Sequence, residues 1–208
     1  MFNIELVIDI GGNNTTIYQN KKGIVLTEPS IVAIKKQRNR LKLVANGKEA
    51  QRLMQNRNEL LPGVNIVYPF AEGTVNNSEA AKLMLRGFLE TVILGKVFRP
   101  KIEAIVLISC GATVVERKNI ESIFTSLGIK NVTLVESPIA VYSLLENPYN
   151  FIVIGGATTT EVAIVGPQGI ITGCSVNISG ATMDDAIKKY ISEQYRLVIS
   201  KTKAEELR

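Results

Sequence analysis

Phe151-Ile152-Val153-Ile154-Gly155-Gly156-Ala157-Thr158-Thr159-Thr160-Glu161 repeats, far downstream, the pattern of Leu6-Val7-Ile8-Asp9-Ile10-Gly11-Gly12-Asn13-Asn14-Thr15-Thr16. Each copy is an apolar run, then Ile-Gly-Gly, two small residues, a Thr pair and a second apolar run. The glycines permit a tight hairpin turn whose backbone N–H groups come close to a ligand, and phosphate is the usual one. Two such hairpins facing each other across a cleft would grip a nucleotide from both sides. The copies differ in one place: Asp9 stands at the end of the first strand, whereas the second offers only Val153 or Ile154.

Around the two turns, the sequence reads as a duplicated α/β arrangement. Residues 3–10, 14–19 and 23–28 read as three short strands, interrupted by Pro29. Residues 31–45 read as an antiparallel pair around the basic turn Lys36–Asn39, and Lys48–Met54 as a short helix. Pro62-Gly63 and Tyr68-Pro69 then break the pattern. Apolar residues at Ala81, Leu85, Phe88, Leu89 and Val92 predict a helix over 78–94, and 102–109 is apolar enough for a buried parallel strand. Helices follow over 114–127, ended by Gly128, and over 137–146 with Pro138 in its first turn, flanking a strand at 132–135. Strands at 151–154, 161–165 and 169–176 come next, then helices over 183–195 and 203–208. Glu116-Arg117 reads as a helix cap or surface pair, and Asp184 and Asp185 as acidic residues favoured by a helix N-terminus. Three strands, then β-α-β-α, then three strands and a helix, is one half-unit of the ribonuclease H-like fold followed by the start of a second.

Composition narrows the function classes. At 208 residues, 46% apolar and 21% charged, the chain suits a globular protein with a real core. Its net charge of +5 is mild and scattered, which argues against nucleic acid as a partner. The one basic cluster, Lys35, Lys36, Arg38, Arg40 and Lys42, reads as a solvated hairpin. With no histidine, His-based catalysis is excluded, and Cys110 and Cys174 read as two buried thiols in a reducing compartment. No apolar run is long enough to cross a bilayer and no signal-peptide pattern opens the chain, so a cytoplasmic location is expected.

Asp9-Ile-Gly-Gly-Asn-Asn-Thr, followed by Glu28-Pro29-Ser30-Ile31-Val32-Ala33, resembles the N-terminal signature of the MreB family of bacterial actin-like proteins. The likeness runs on through Pro62-Gly63-Val64-Asn65-Ile66-Val67, Ser109-Cys110-Gly111-Ala112-Thr113, Glu136-Ser137-Pro138, Thr159-Thr160-Glu161 and Ala204-Glu205-Glu206-Leu207-Arg208. It therefore implies an actin-type ATPase fold with one complete lobe and the start of a second. The first lobe core would take 1–30 and 69–147, with 31–68 as a small inserted subdomain. The second lobe core would begin at 148–180, with its own inserted subdomain starting at 181–208. The family's chains run further, and in them the ribose and base also meet a glycine-rich segment of the second half.

The resemblance also implies a function: ATP with Mg²⁺ bound between the lobes, self-assembly into filaments on the inner membrane face, and work with the cell-shape and cell-wall synthesis machinery. Gly12, Asn13 and Asn14 would lie on the phosphates, with Asp9 near the metal through water. Gly156, Ala157 and Thr158 would form the second phosphate loop, and Thr159 would help to place the attacking water. Glu205 and Arg208, three apart and so on one helix face, would contact the adenosine. Val97 and Phe98, flanked by Lys96, Arg99 and Lys101, match the family's membrane-contacting pair.

Two departures bear on catalysis. The second loop's carboxylate is missing in either register, and the family's catalytic Glu falls on Ser137, with Glu136 beside it. Phosphoryl transfer depends on positioning and charge stabilisation around a metal, so impaired hydrolysis is expected. Two other readings stand beside a filament protein. One is a degenerate, non-polymerising nucleotide-binding regulator. The other is a sugar or acetate kinase of the same superfamily, for which the chain offers no clear acceptor-activating carboxylate.

Overall fold

The structure, a computed structural model, describes residues 3–38, 40–56, 58, 60–71, 73–93 and 101–208. In the first unit, Met1–Ser137, strands β1 (Asn3–Ile10), β2 (Asn14–Gln19) and β3 (Gly23–Pro29) form an antiparallel meander. There follow β4 (Val32–Gln37), β5 (Arg40–Asn46), α1 (Gly47–Gln55), β6 (Val64–Val67), β7 (Phe70–Ala71), β8 (Thr74–Val75) and α2 (Ser78–Ile93). The unit closes with β9 (Lys101–Ile108), α3 (Val114–Ser126) and β10 (Asn131–Glu136).

The main sheet has the order β10-β9-β1-β2-β3, with β9 parallel to both β1 and β10. Alternation sets its faces: Ile4, Leu6 and Ile8 of β1 are buried while Asn3 and Glu5 are exposed. Met84, Leu85 and Phe88 of α2 and Ile123 and Phe124 of α3 complete this core with Ile17 and Val106. Each such side chain contributes roughly 1.5–3 kcal/mol by leaving water.

Between β3 and β7, strands β5-β4-β6 form a separate sheet with a small core of Ile31, Ala33, Ala50 and Val64. Strand β6 is absent from the sequence reading, which took Pro62-Gly63 and Tyr68-Pro69 as breaks. They bracket a strand that pairs antiparallel with β4, as turn residues at both ends of a short apolar run can do. The basic cluster is exposed at Lys35, Lys36, Arg38, Arg40 and Lys42, on the β4–β5 hairpin.

Helix α4 (Ser137–Tyr142) starts where the first unit ends, and the second unit is Pro138–Arg208. The family resemblance places the boundary between lobes after 147. α4 is shorter than the expected 137–146 because the Leu144 and Leu145 N–H groups bond back three residues, to the Val141 and Tyr142 carbonyls. β11 (Asn150–Gly155), β12 (Thr160–Gly166) and β13 (Gly169–Val176) repeat the antiparallel meander. Helices α5 (Gly180–Tyr195) and α6 (Lys201–Leu207) follow.

α5 starts at Gly180 rather than at the expected Met183, because Ser179 and Thr182 close a capping box. Cys110 is buried as expected, but Cys174 is exposed, since β13 is an edge strand whose central residues face solvent. Among the described residues, no helix is long and apolar enough to cross a membrane.

Candidate functional site

The first turn closes through a hydrogen bond from the Gly11 N–H to the Asn14 carbonyl, at 3.0 Å. A Cβ on Gly11 would stand 2.7 Å from that carbonyl oxygen, so only glycine fits. The N–H groups of Gly12 and Asn13, at the tip, meet no acceptor among the described residues, and Asn13 and Asn14 are exposed. A turn with successive free amides is a receptor for anionic oxygen.

Asp9 precedes this turn at the end of β1. Its carboxyl is held above the ordinary carboxylate range by desolvation, although solvent still reaches it. A cation, or a water held by one, would relieve that cost. Asp9 stands at the carboxyl end of β1, next to the ends of β9 and β10, where open α/β sheets place their ligands.

Glu136 and Ser137 lie at the same end of the sheet, on β10 and the start of α4. Both side chains have partners within the first unit. Glu136 accepts the Gly111 N–H at 2.9 Å and pairs with the Arg117 guanidinium, which also donates to the Ala112 carbonyl. The Ser137 hydroxyl donates to the Ile108 carbonyl at 3.2 Å. Glu116 closes a capping box with Thr113, and the Thr113 hydrogen bonds hold its carboxyl below the usual range. The Glu116-Arg117 pair therefore divides its work: one residue caps α3 and the other anchors Glu136.

In the second unit, the turn between β11 and β12 reproduces the first. The Gly156 N–H donates to the Thr159 carbonyl at 2.8 Å, and a Cβ on Gly156 would again stand 2.7 Å from that oxygen. This equivalence decides the register left open by the sequence: Gly156 matches Gly11, so Ile154 matches Asp9. The strand pairing agrees, since Asp9 faces Thr16 and Ile154 faces Glu161. The second turn therefore lacks a carboxylate at the position of Asp9. The Ala157 and Thr158 amides meet no acceptor among the described residues, and Thr159 is largely covered.

α5 joins this turn to the residues expected at the adenosine. Its first two N–H groups, of Gly180 and Ala181, donate to the Gly156 and Ala157 carbonyls at 3.1 and 3.0 Å. The Arg208 guanidinium covers Gly180, where a Cβ would meet Nη1. Arg208 also lies 3.6 Å from the Asp184 carboxylate and 3.9 Å from that of Glu205. Asp184 is therefore not merely an acidic residue in an early helical turn, as the sequence suggested: it is 3% exposed and faces a cation. Spacing could not reveal this pairing, because α5 and α6 come together only on folding.

Ser30 is another residue that local sequence did not single out; it is buried and bonded into the first turn. The membrane-contacting pair, Val97 and Phe98, lies outside the described residues. No cluster of three or more metal-ligating side chains occurs among the described residues.

A family model described as MreB/Mbl protein matches residues 3–208. The chain is 36% identical to the cell shape-determining protein MreB of Haemophilus influenzae over 216 residues, covering 100% of this chain and 60% of the relative. It is 32% identical to the cell shape-determining protein Mbl of Bacillus subtilis, covering 100% and 62%. The chain thus spans about three fifths of the length of these curated relatives. Among solved structures, MreB5 of Spiroplasma citri bound to ADP superposes with a TM-score of 0.82 at 25% identity, covering 99% of this chain and 61% of that one. A MamK double helical filament shares the fold, with a TM-score of 0.76 at 16% identity, covering 99% and 64%.

Proposed function

The chain belongs to the MreB/Mbl family and has its actin-type fold, and from that premise we propose that it is a filament-forming cytoskeletal protein that binds ATP with Mg²⁺. The observation that carries the reading is the pair of matching turns, each closed by a glycine N–H and each with two tip amides that meet no acceptor among the described residues. In this reading Gly12, Asn13 and Asn14 of the first turn hold phosphate oxygens, and so do Gly156, Ala157 and Thr158 of the second. Asp9 receives the hydrated metal, and Glu205 and Arg208 face the adenosine, with Arg208 steadied by Asp184. Bound Mg²⁺-ATP supplies the phosphoanhydride and the charge that neutralises it; the protein supplies position.

Hydrolysis is slow in this reading. Ile154 brings no carboxylate to the metal side, Ser137 donates its hydroxyl to a carbonyl, and Glu136 is held by Arg117 and Gly111. Nucleotide binding and assembly are therefore the retained functions, and turnover the weakened one. Filaments lie against the inner membrane face through Val97 and Phe98 and contribute to cell shape with the wall-synthesis machinery.

Pelleting and electron microscopy with and without Mg²⁺-ATP test the proposal. ATP-dependent filaments with little phosphate release are expected. Saturable ATP binding without filaments would favour the second reading, a non-polymerising nucleotide-binding relative, which the same Ile154 and Ser137 departures support. Co-sedimentation with anionic vesicles tests the membrane contact: loss of binding in a Val97→Ser, Phe98→Ser double variant is expected, and unchanged binding would sink it.

A further inference from the structure

We infer that Ser30 is a positioning residue for the first phosphate turn, an inference that rests on the proposed nucleotide reading. Ser30 is fully buried and makes three contacts to one hairpin. Its hydroxyl donates to the Gly11 carbonyl at 2.6 Å, and its N–H to the Asn13 carbonyl at 2.8 Å. Its oxygen also lies 2.9 Å from the Thr15 hydroxyl, itself fully buried. A serine hydroxyl has one proton, and the Gly11 carbonyl takes it, so the Thr15 hydroxyl is the donor to Ser30. A relay thus runs from Thr15 through Ser30 to Gly11.

The consequence for binding follows from peptide geometry. Tying the Gly11 and Asn13 carbonyls to Ser30 fixes the Gly11–Gly12 and Asn13–Asn14 peptide planes, and the peptide that carries the Asn13 N–H is held between them. The Gly12 amide is in the same peptide plane as the Gly11 carbonyl and points the opposite way. A carbonyl drawn to Ser30 therefore sends that N–H away from Ser30. Preorganised donors of this kind bind an anion without a reorganisation cost.

The second hairpin supplies an independent parallel. There the carbonyl of the equivalent glycine, Gly156, is also tied, but by the Gly180 N–H at the start of α5. The two halves restrain the same carbonyl with chemically different donors. Only the first depends on a side chain, and so only the first is released by trimming a side chain.

Ser30→Ala removes the hydroxyl, and Ser30→Cys keeps a side chain of similar size with a much weaker donor. ATP affinity, measured with Mg²⁺ and a fluorescent ATP analogue, is expected to fall about tenfold in both variants. Amide exchange at Gly11 and Ser30, whose N–H groups bond the Asn14 and Asn13 carbonyls, is expected to quicken in the nucleotide-free protein. Phe124→Leu, a core substitution away from the turn, is expected to lower Tm with affinity unchanged, which separates positioning from general destabilisation. Unchanged affinity with unchanged turn exchange in both Ser30 variants overturns the inference. A cysteine variant that behaves as wild type while alanine does not also overturns it, by assigning Ser30 to space filling. If the wild-type protein fails to bind the analogue, the nucleotide reading falls instead, and the exchange measurement alone decides whether Ser30 holds the turn. Should Ser30→Ala not fold, Thr15→Val interrupts the relay one step back and is expected to quicken exchange at the same amides.

Discussion

Ile154 and Glu161 face each other directly across β11 and β12, where the first hairpin places Asp9 opposite Thr16. Cross-strand partners share a face of the sheet, so the second hairpin has an apolar residue where the first has its carboxylate, and a buried glutamate opposite it.

Restoring the missing group tests how much it matters. Ile154→Asp sets two carboxylates opposite each other, which lowers Tm in the absence of metal by the like-charge repulsion. Mg²⁺-ATP recovers the loss. Phosphate release rises roughly tenfold, the effect of about 1.4 kcal/mol of added transition-state stabilisation. A variant that folds and binds ATP but releases phosphate no faster would show that the Ser137 position limits turnover instead.

Asp9 gives a pH signature. Desolvation raises its carboxyl in the folded chain above the ordinary value of 3.8, so the folded state holds this proton more firmly than the unfolded state. Its contribution to stability is full below that ordinary value and is lost as pH rises through the raised one. At neutral pH the ionised Asp9 is a small net cost until a cation arrives, small because solvent still reaches it. Asp9→Asn therefore raises the Tm of the ligand-free protein slightly at pH 7 and has no such effect at pH 3. The same variant weakens Mg²⁺-ATP binding roughly tenfold in a calorimetric titration.

Arg208 and Asp184 form a pair that couples α6 to α5. Arg208→Ala leaves the Asp184 carboxylate buried without its cation and costs about 1–3 kcal/mol in urea unfolding. Asp184→Asn costs less. In the double variant the second change recovers part of the first loss, so the energies do not add. Strict additivity would mean that the two residues do not interact in solution.

Arg117 and Glu136 hold the end of β10 to the turn before α3. Arg117→Ala frees Glu136 from its ion pair and costs about 1–3 kcal/mol. Glu136→Gln keeps the size and the Gly111 contact and costs less. Urea unfolding of both variants gives the comparison, and phosphate release should be unaffected by Glu136→Gln if Glu136 is an anchor and not a base.

Much of the fold was legible in the residues. The alternation of Ile4, Leu6 and Ile8, the helical spacing of Ala81, Leu85 and Phe88, and the apolar run through Val106 name their elements, because periodicity records which face meets a core. The two glycine turns were legible as well, since a close approach of backbone to backbone excludes every side chain. Less regular segments were not. Val64–Val67 is too short to show a period, and its strand exists through pairing with β4. The early start of α5 came from a Ser179–Thr182 box that outweighed the glycine at its first position.

The sequence by itself determined that two matching glycine turns sit in a duplicated α/β frame and that the second is short of a carboxylate. Its order of motifs also determined the family. Only the tertiary structure decided which residue replaces that carboxylate, because one-dimensional alignment allowed Val153 or Ile154, whereas the Gly156–Thr159 hydrogen bond permits one superposition on Gly11–Asn14. Only it placed Ser30 beneath Gly11 and Asp184 beside Arg208. Those partners are distant in the chain, and the identity of a buried polar group's partner is set where segments meet in space.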